Sequence, residues 1–180
     1  MSVLDFEAAI FDLDGTLLDS MAIWHEIDIE FLGRRGLDVP DEYISAINSK
    51  SFRETAEYTI EYFGFDVTPE ELMDEWFKMA IDKYSHQVRL KPNAKEYLLF
   101  LKGRGIKLGT ASSLPRVLAD PALKKNGVYH LFDAFTTTDE VGRSKEYPDI
   151  YLLAASKLGV QPGNCIVFED ILPGIKAVRA

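Results

Sequence analysis

The apolar run Ala8-Ala9-Ile10-Phe11 breaks off abruptly in Asp12-Leu13-Asp14-Gly15-Thr16, and few folds accommodate such a junction. A short run without polar alternation reads as a strand buried on both faces, the kind found in parallel sheets flanked by helices. Side chains two apart on an extended chain point the same way and sit about 6–7 Å apart, so Asp12 and Asp14 aim at a common point. Two like charges held there call for a cation. Gly15 permits a sharp positive-φ departure from the strand, and ligands of open parallel sheets bind at the carboxyl ends of strands. Taken alone, the pair reads equally well as a turn that ends a strand. Three later features shift the reading toward a site: Ser112 after an apolar run, Lys145 in a polar loop, and Glu169-Asp170 after another apolar run.

Further strands are predicted over 106–111, 134–136 and 165–168, with Ala8–Phe11 as the first. Helical patterns of ordinary crossover length, 115–125 and 149–158, lie between the later strands and predict a doubly wound, Rossmann-like parallel α/β sheet. The stretch from Thr16 to Lys91 is too long for one crossover. It holds a helical pattern over 21–34 and two capping-box sequences, Ser51-Phe52-Arg53-Glu54 and Thr68-Pro69-Glu70-Glu71, so an α-helical insertion is predicted over 17–89, with the core formed by 1–16 and 90–180. A helix over 94–102 leads back into the core. The chain stops inside a helix that opens near Pro173, leaving the outer edge of the last strand uncovered. The expectation is therefore a natural product truncated here at its C-terminus by one strand and one helix.

A formal net charge of −9 without any Lys/Arg block argues against nucleic acid or an anionic membrane as partner. Hydrophobic residues make up 47% of the 180 positions, enough for a packed core rather than disorder. The one cysteine, Cys165, excludes an intrachain disulfide and sits in an apolar run, where it is expected to be a small buried hydrophobe. No window approaches a membrane span, and the N-terminus has no basic start, so a monomer in the cytoplasm is expected.

Asp12-Leu13-Asp14-Gly15-Thr16, Ser112, Lys145 and Glu169-Asp170 together resemble the four ordered motifs of the haloacid dehalogenase superfamily. More narrowly, the stretches 11–20, 105–113 and 167–174 are similar to the phosphatases and mutases related to β-phosphoglucomutase, whose helical cap is inserted after the first motif. The resemblance implies a Mg²⁺-dependent phosphatase acting on a small phosphorylated metabolite, a sugar phosphate. Asp12 is then the nucleophile that forms an aspartyl-phosphate, and Asp14 the acid that protonates the leaving oxygen and later activates water. Mg²⁺ takes oxygen ligands in octahedral geometry, and the implied set is Asp12, the Asp14 carbonyl, Asp170 and, directly or through water, Glu169. Ser112 and Lys145 would face the phosphate, with Ser113 either beside it or capping the helix near Pro115.

Two departures from the family pattern stand out. The lysine loop reads Lys145-Glu146-Tyr147-Pro148-Asp149, with an acid where proline is common, and Ile171 follows the acidic pair where serine is usual. In the implied cap, Arg53, Lys50 and His25 are candidates for reading substrate, with a surface role at a helix start the favoured reading of Arg53 and Lys50. Trp24, Ile27, Phe31, Trp76 and Phe77 read as cap core. The histidine of the first cap helix in β-phosphoglucomutases falls on Trp24, one residue from His25, which weakens a mutase. The alternatives carried forward are a phosphosugar mutase, a receiver-like phospho-signalling domain, and an inactive binding fragment.

Overall fold

The computed structural model describes residues 5–47 and 52–179, so Lys50 and the Ser51 cap lie outside the described residues. Four parallel strands, β1 (Ala8–Phe11), β2 (Lys107–Ser112), β3 (Ala134–Thr137) and β4 (Cys165–Phe168), form one sheet in the order β3-β2-β1-β4. Nine α-helices lie among the described residues: α1 (Met21–Gly33), α2 (Asp41–Ile47), α3 (Phe52–Phe63), α4 (Pro69–His86), α5 (Ala94–Lys102), α6 (Arg116–Lys125), α7 (Thr138–Val141), α8 (Asp149–Leu158) and α9 (Leu172–Val178). None is long and apolar enough to cross a membrane.

The strands form where β1 can be buried on both faces: Ala8, Ala9, Ile10 and Phe11 are all sealed from solvent. One side of the sheet carries α8, whose Ile150, Tyr151, Ala154, Ala155 and Leu158 meet Ala8, Ile10 and Ala111. Strand β2 begins and ends one residue later than its apolar run predicts, because Ser112 pairs in register with Thr137. Backbone pairing, not side-chain polarity, sets that end. Cys165 departs from expectation as well. It is only half-buried, because β4 pairs with β1 on one side and has no strand on the other among the described residues.

The chain divides into two compact units, Met1–Met21 with Tyr84–Ala180, and Ala22–Lys83. The division falls inside the stretch that the sequence assigned to the insertion. Residues at both of its ends are tied to the sheet unit: Leu18 bridges to Leu90, and the Tyr84 hydroxyl donates to Asp14 at 2.8 Å. The last turn of α4 therefore belongs with the sheet. In the helical unit, Ile27, Phe31 and Trp76 are buried, with the Phe31 and Trp76 rings edge-to-face at 5.6 Å. Thr68 and Glu71 form the predicted capping box at the start of α4. Lys83, nearly buried, bonds to Glu26 at 3.2 Å and lies 3.5 Å from Glu30, joining α4 to α1.

Candidate active site

Parallel pairing brings the strand ends into line. Phe11 lies opposite Thr110 on one side and Phe168 on the other, and the Asp12 amide extends the ladder by donating to the Phe168 carbonyl at 2.9 Å. The first residues past β1 and β4, Asp12 and Glu169, therefore emerge side by side. Ser112, the last residue of β2, is buried at the same edge, and its Oγ accepts the Leu114 amide at 3.1 Å. Ser113 is exposed and caps nothing. Helix α6 starts behind Pro115 with no side-chain cap hydrogen bond.

Lys145 reaches the cluster from the turn between α7 and α8. Only 5% of it is exposed, and its Nζ donates to Asp12 Oδ1 and, at 2.8 Å, to Glu169 Oε2. A lysine this deep is retained because it is paired with carboxylates. Asp12, itself 4% exposed, has its carboxyl pushed up to about 6 by burial, against the lowering influence of Lys145. Burial also raises Asp14, opposed by two hydroxyls that donate to the same Oδ1: Ser20 at 2.5 Å and Tyr84 at 2.8 Å.

Glu169 is fully engaged. Its Oε2 accepts from Lys145 and from the Tyr151 hydroxyl at 2.9 Å, while Oε1 accepts the amides of Asp170 and Ile171, each at 3.2 Å. Tyr151 has its phenol raised well above the usual range, first by burial and then by the Glu169 charge, so it remains a donor. Asp170 is exposed and accepts from the Thr16 hydroxyl at 3.3 Å. Gly15 makes room for it: the residue has φ +84°, and a Cβ there would overlap Asp170 Oδ2.

Asp12, Glu169 and Asp170 each offer a carboxylate oxygen within 4.8 Å of the others. Three formal negative charges converge there against one ammonium, and the donors are all oxygen. That set fits a small hard dication such as Mg²⁺ and offers nothing to a thiophilic metal.

The structure thus gathers Asp12, Asp14, Lys145, Glu169 and Asp170, and sets Ser112 at the end of the adjacent strand. Arg53 and His25 belong to the helical unit and are exposed there. Arg53 pairs with Glu70 at 2.6 Å and Glu57 at 3.8 Å. Sequence reasoning assigned no role to Ser20, Tyr84 or Tyr151. Tyr151 carried a faint signal, a hydroxyl on the otherwise apolar inward face of the helix that follows Lys145.

A family model of haloacid dehalogenase-like hydrolases matches residues 6–180. The chain is 33% identical over 175 residues to the fructose-1-phosphate phosphatase YqaB of Escherichia coli K12, covering 97% of this chain and 92% of that protein. A phosphorylated carbohydrates phosphatase of Thermotoga maritima is 28% identical, over 97% of this chain and 81% of its own length. Among solved structures, CbbY of Rhodobacter sphaeroides in complex with phosphate superposes with a TM-score of 0.80 at 21% identity, covering 97% of this chain and 82% of that one, which shows a shared fold.

Proposed function

The chain belongs to the haloacid dehalogenase-like hydrolases, and from that premise we propose that it is a Mg²⁺-dependent phosphatase of small sugar phosphates, working through an aspartyl-phosphate on Asp12. The observation that carries this reading is the position of Asp12, which touches a buried ammonium on one side and shares a carboxylate triad on the other. Relatives that act on fructose 1-phosphate and on phosphorylated carbohydrates support the substrate class.

Phosphoryl transfer needs an in-line nucleophile, neutralised charge and a proton for the leaving alcohol. An Asp12 oxygen attacks phosphorus as the ester P–O bond breaks. Asp14, whose carboxyl is raised by burial, gives a proton to the departing oxygen. The ionised Asp14 then takes a proton from water, which attacks the acyl phosphate; inorganic phosphate leaves and Asp12 is restored. Lys145 balances charge on the transferring group, and the Ser112 hydroxyl donates to it. Held by Asp12, Asp170 and the Asp14 carbonyl, Mg²⁺ would neutralise the phosphate oxygens and orient the phosphorus toward Asp12.

Hydrolysis is favoured over a mutase reaction because a mutase must hold a second phosphate, and Arg53, the candidate arginine among the described residues of the helical unit, is already paired with two glutamates. A panel of sugar phosphates assayed for released phosphate, with and without Mg²⁺, tests the proposal. Wild type should turn over and Asp12→Asn should not. Activity persisting in clean Asp12→Asn protein would refute the assignment, and conversion of β-glucose 1-phosphate to an isomer would identify a mutase instead.

A further inference from the structure

Glu169 is one of three carboxylates around the expected metal, yet it is bonded unlike the other two. A carboxylate offers about four lone-pair sites, and all four of those on Glu169 are occupied: by Lys145 and Tyr151 on Oε2, and by two backbone amides on Oε1. Asp170, in contrast, is exposed, with one long bond from Thr16. The Tyr151 hydroxyl reaches Glu169 through a gap left by Gly174, where a Cβ would stand 2.5 Å from that hydroxyl and 2.8 Å from Glu169 Cγ. Tyr151 is 5% exposed and packed in the α8 face of the core, so the hydroxyl is delivered by a packed helix.

We propose that Tyr151 is a positioning residue: by filling the remaining acceptor site of Glu169 it commits that carboxylate to holding Lys145 on Asp12, and keeps it out of the metal's direct ligand set. The inference rests on the phosphatase reading for its effect on rate, but its effect on metal binding can be measured without turnover. Removing the hydroxyl frees a lone pair beside Asp12 and Asp170, which should tighten Mg²⁺ binding while loosening Lys145.

The test is Tyr151→Phe, which keeps the ring and its packing. Calorimetry with Mg²⁺ alone should show binding about three- to tenfold tighter than wild type. With p-nitrophenyl phosphate as probe, kcat per folded enzyme should fall about tenfold, the worth of one hydrogen bond to a charged group, with KM within twofold of wild type. In a Glu169→Gln background the same substitution should leave Mg²⁺ affinity within twofold, because a residue acting through Glu169 has nothing further to change. Packing damage alone would weaken metal binding and lower kcat together. Unchanged or weaker Mg²⁺ binding in Tyr151→Phe, or an equal shift with Glu169 already replaced, overturns the proposal. If wild type hydrolyses no phosphate monoester, the phosphatase reading fails, and the calorimetric comparison still decides the role of Tyr151.

Discussion

The Lys145 ammonium is buried against the Asp12 carboxylate, a contact between residues 133 positions apart that joins the first strand to the loop before α8. Neither charge could stay so deep alone. Removing the lysine leaves Asp12 and Glu169 with an unbalanced buried charge, a change that typically costs about 3–5 kcal/mol. Lys145→Ala should therefore lower the melting temperature and reduce kcat by about a hundredfold or more. Adding Asp12→Asn should recover part of the lost stability, since the double variant has removed both members of the pair. Thermal melts of the four proteins of this cycle check it; a double variant less stable than Lys145→Ala would contradict the pairing.

The raised carboxyl of Asp12 sets a direction for stability against pH. Its folded value is about 6, above the ordinary 3.8, so between roughly pH 4 and 6 the folded metal-free protein holds a proton that the unfolded chain has released. The contribution is fully present below about pH 4 and is lost as pH rises through 6, by up to about 3 kcal/mol. Asp28 of the helical unit is raised to about 6 by burial and adds a loss of the same sign. The expected result, in EDTA, is that the difference between Asp12→Asn and wild type grows in favour of the variant from pH 4 to 7. Saturating Mg²⁺, which binds the ionised form, should reverse the trend in wild type.

Much of the fold could be read in advance, because its signals are local. Ala8–Phe11 and Cys165–Phe168 are apolar runs closed by acids, and α5 and α8 are bounded by Pro and Gly, so all four occupy their predicted residues. The acids of the site were legible for the same reason, standing directly at strand ends. Ser20, Tyr84 and Tyr151 were not. An aromatic residue on a helix reads as core whether or not its hydroxyl finds a partner, and that partner lies 70 residues away for Tyr84 and 18 for Tyr151. Only packing reveals which tyrosine is a donor. The two adjacent serines look alike in sequence, and the backbone pairing of Ser112 with Thr137 leaves Ser112 buried and Ser113 exposed.

Gly15 should be needed for metal binding beyond its conformational freedom. At φ +84° any side chain is strained by about 1–2 kcal/mol, but here a Cβ would also displace the Asp170 carboxylate. Gly15→Ala should weaken Mg²⁺ affinity about tenfold or more. Gly36→Ala is the control, since Gly36 also has positive φ, +69°, and nothing within 4 Å of the added carbon. It should cost stability and leave Mg²⁺ binding unchanged. Equal effects of the two substitutions on metal affinity would mean that strain alone is at work.

Ser20 and Tyr84 both donate to Oδ1 of Asp14, and hydrogen bonds to the ionised form hold a carboxyl down against the burial that raises it. Ser20→Ala or Tyr84→Phe should therefore raise the Asp14 carboxyl further. The two halves of the proposed reaction respond differently. Protonation of the leaving oxygen needs the acid form and is not impaired, whereas activation of water needs the base. The acid limb of the kcat profile should move to higher pH as either hydroxyl is removed, with the rate at high pH less affected. On that acid limb the second half-reaction becomes limiting, so phosphorylated enzyme should accumulate and be trapped on acid quenching. A rate loss that is uniform across pH, with no build-up of phosphorylated protein, would show that the two hydroxyls merely support the fold and do not tune Asp14.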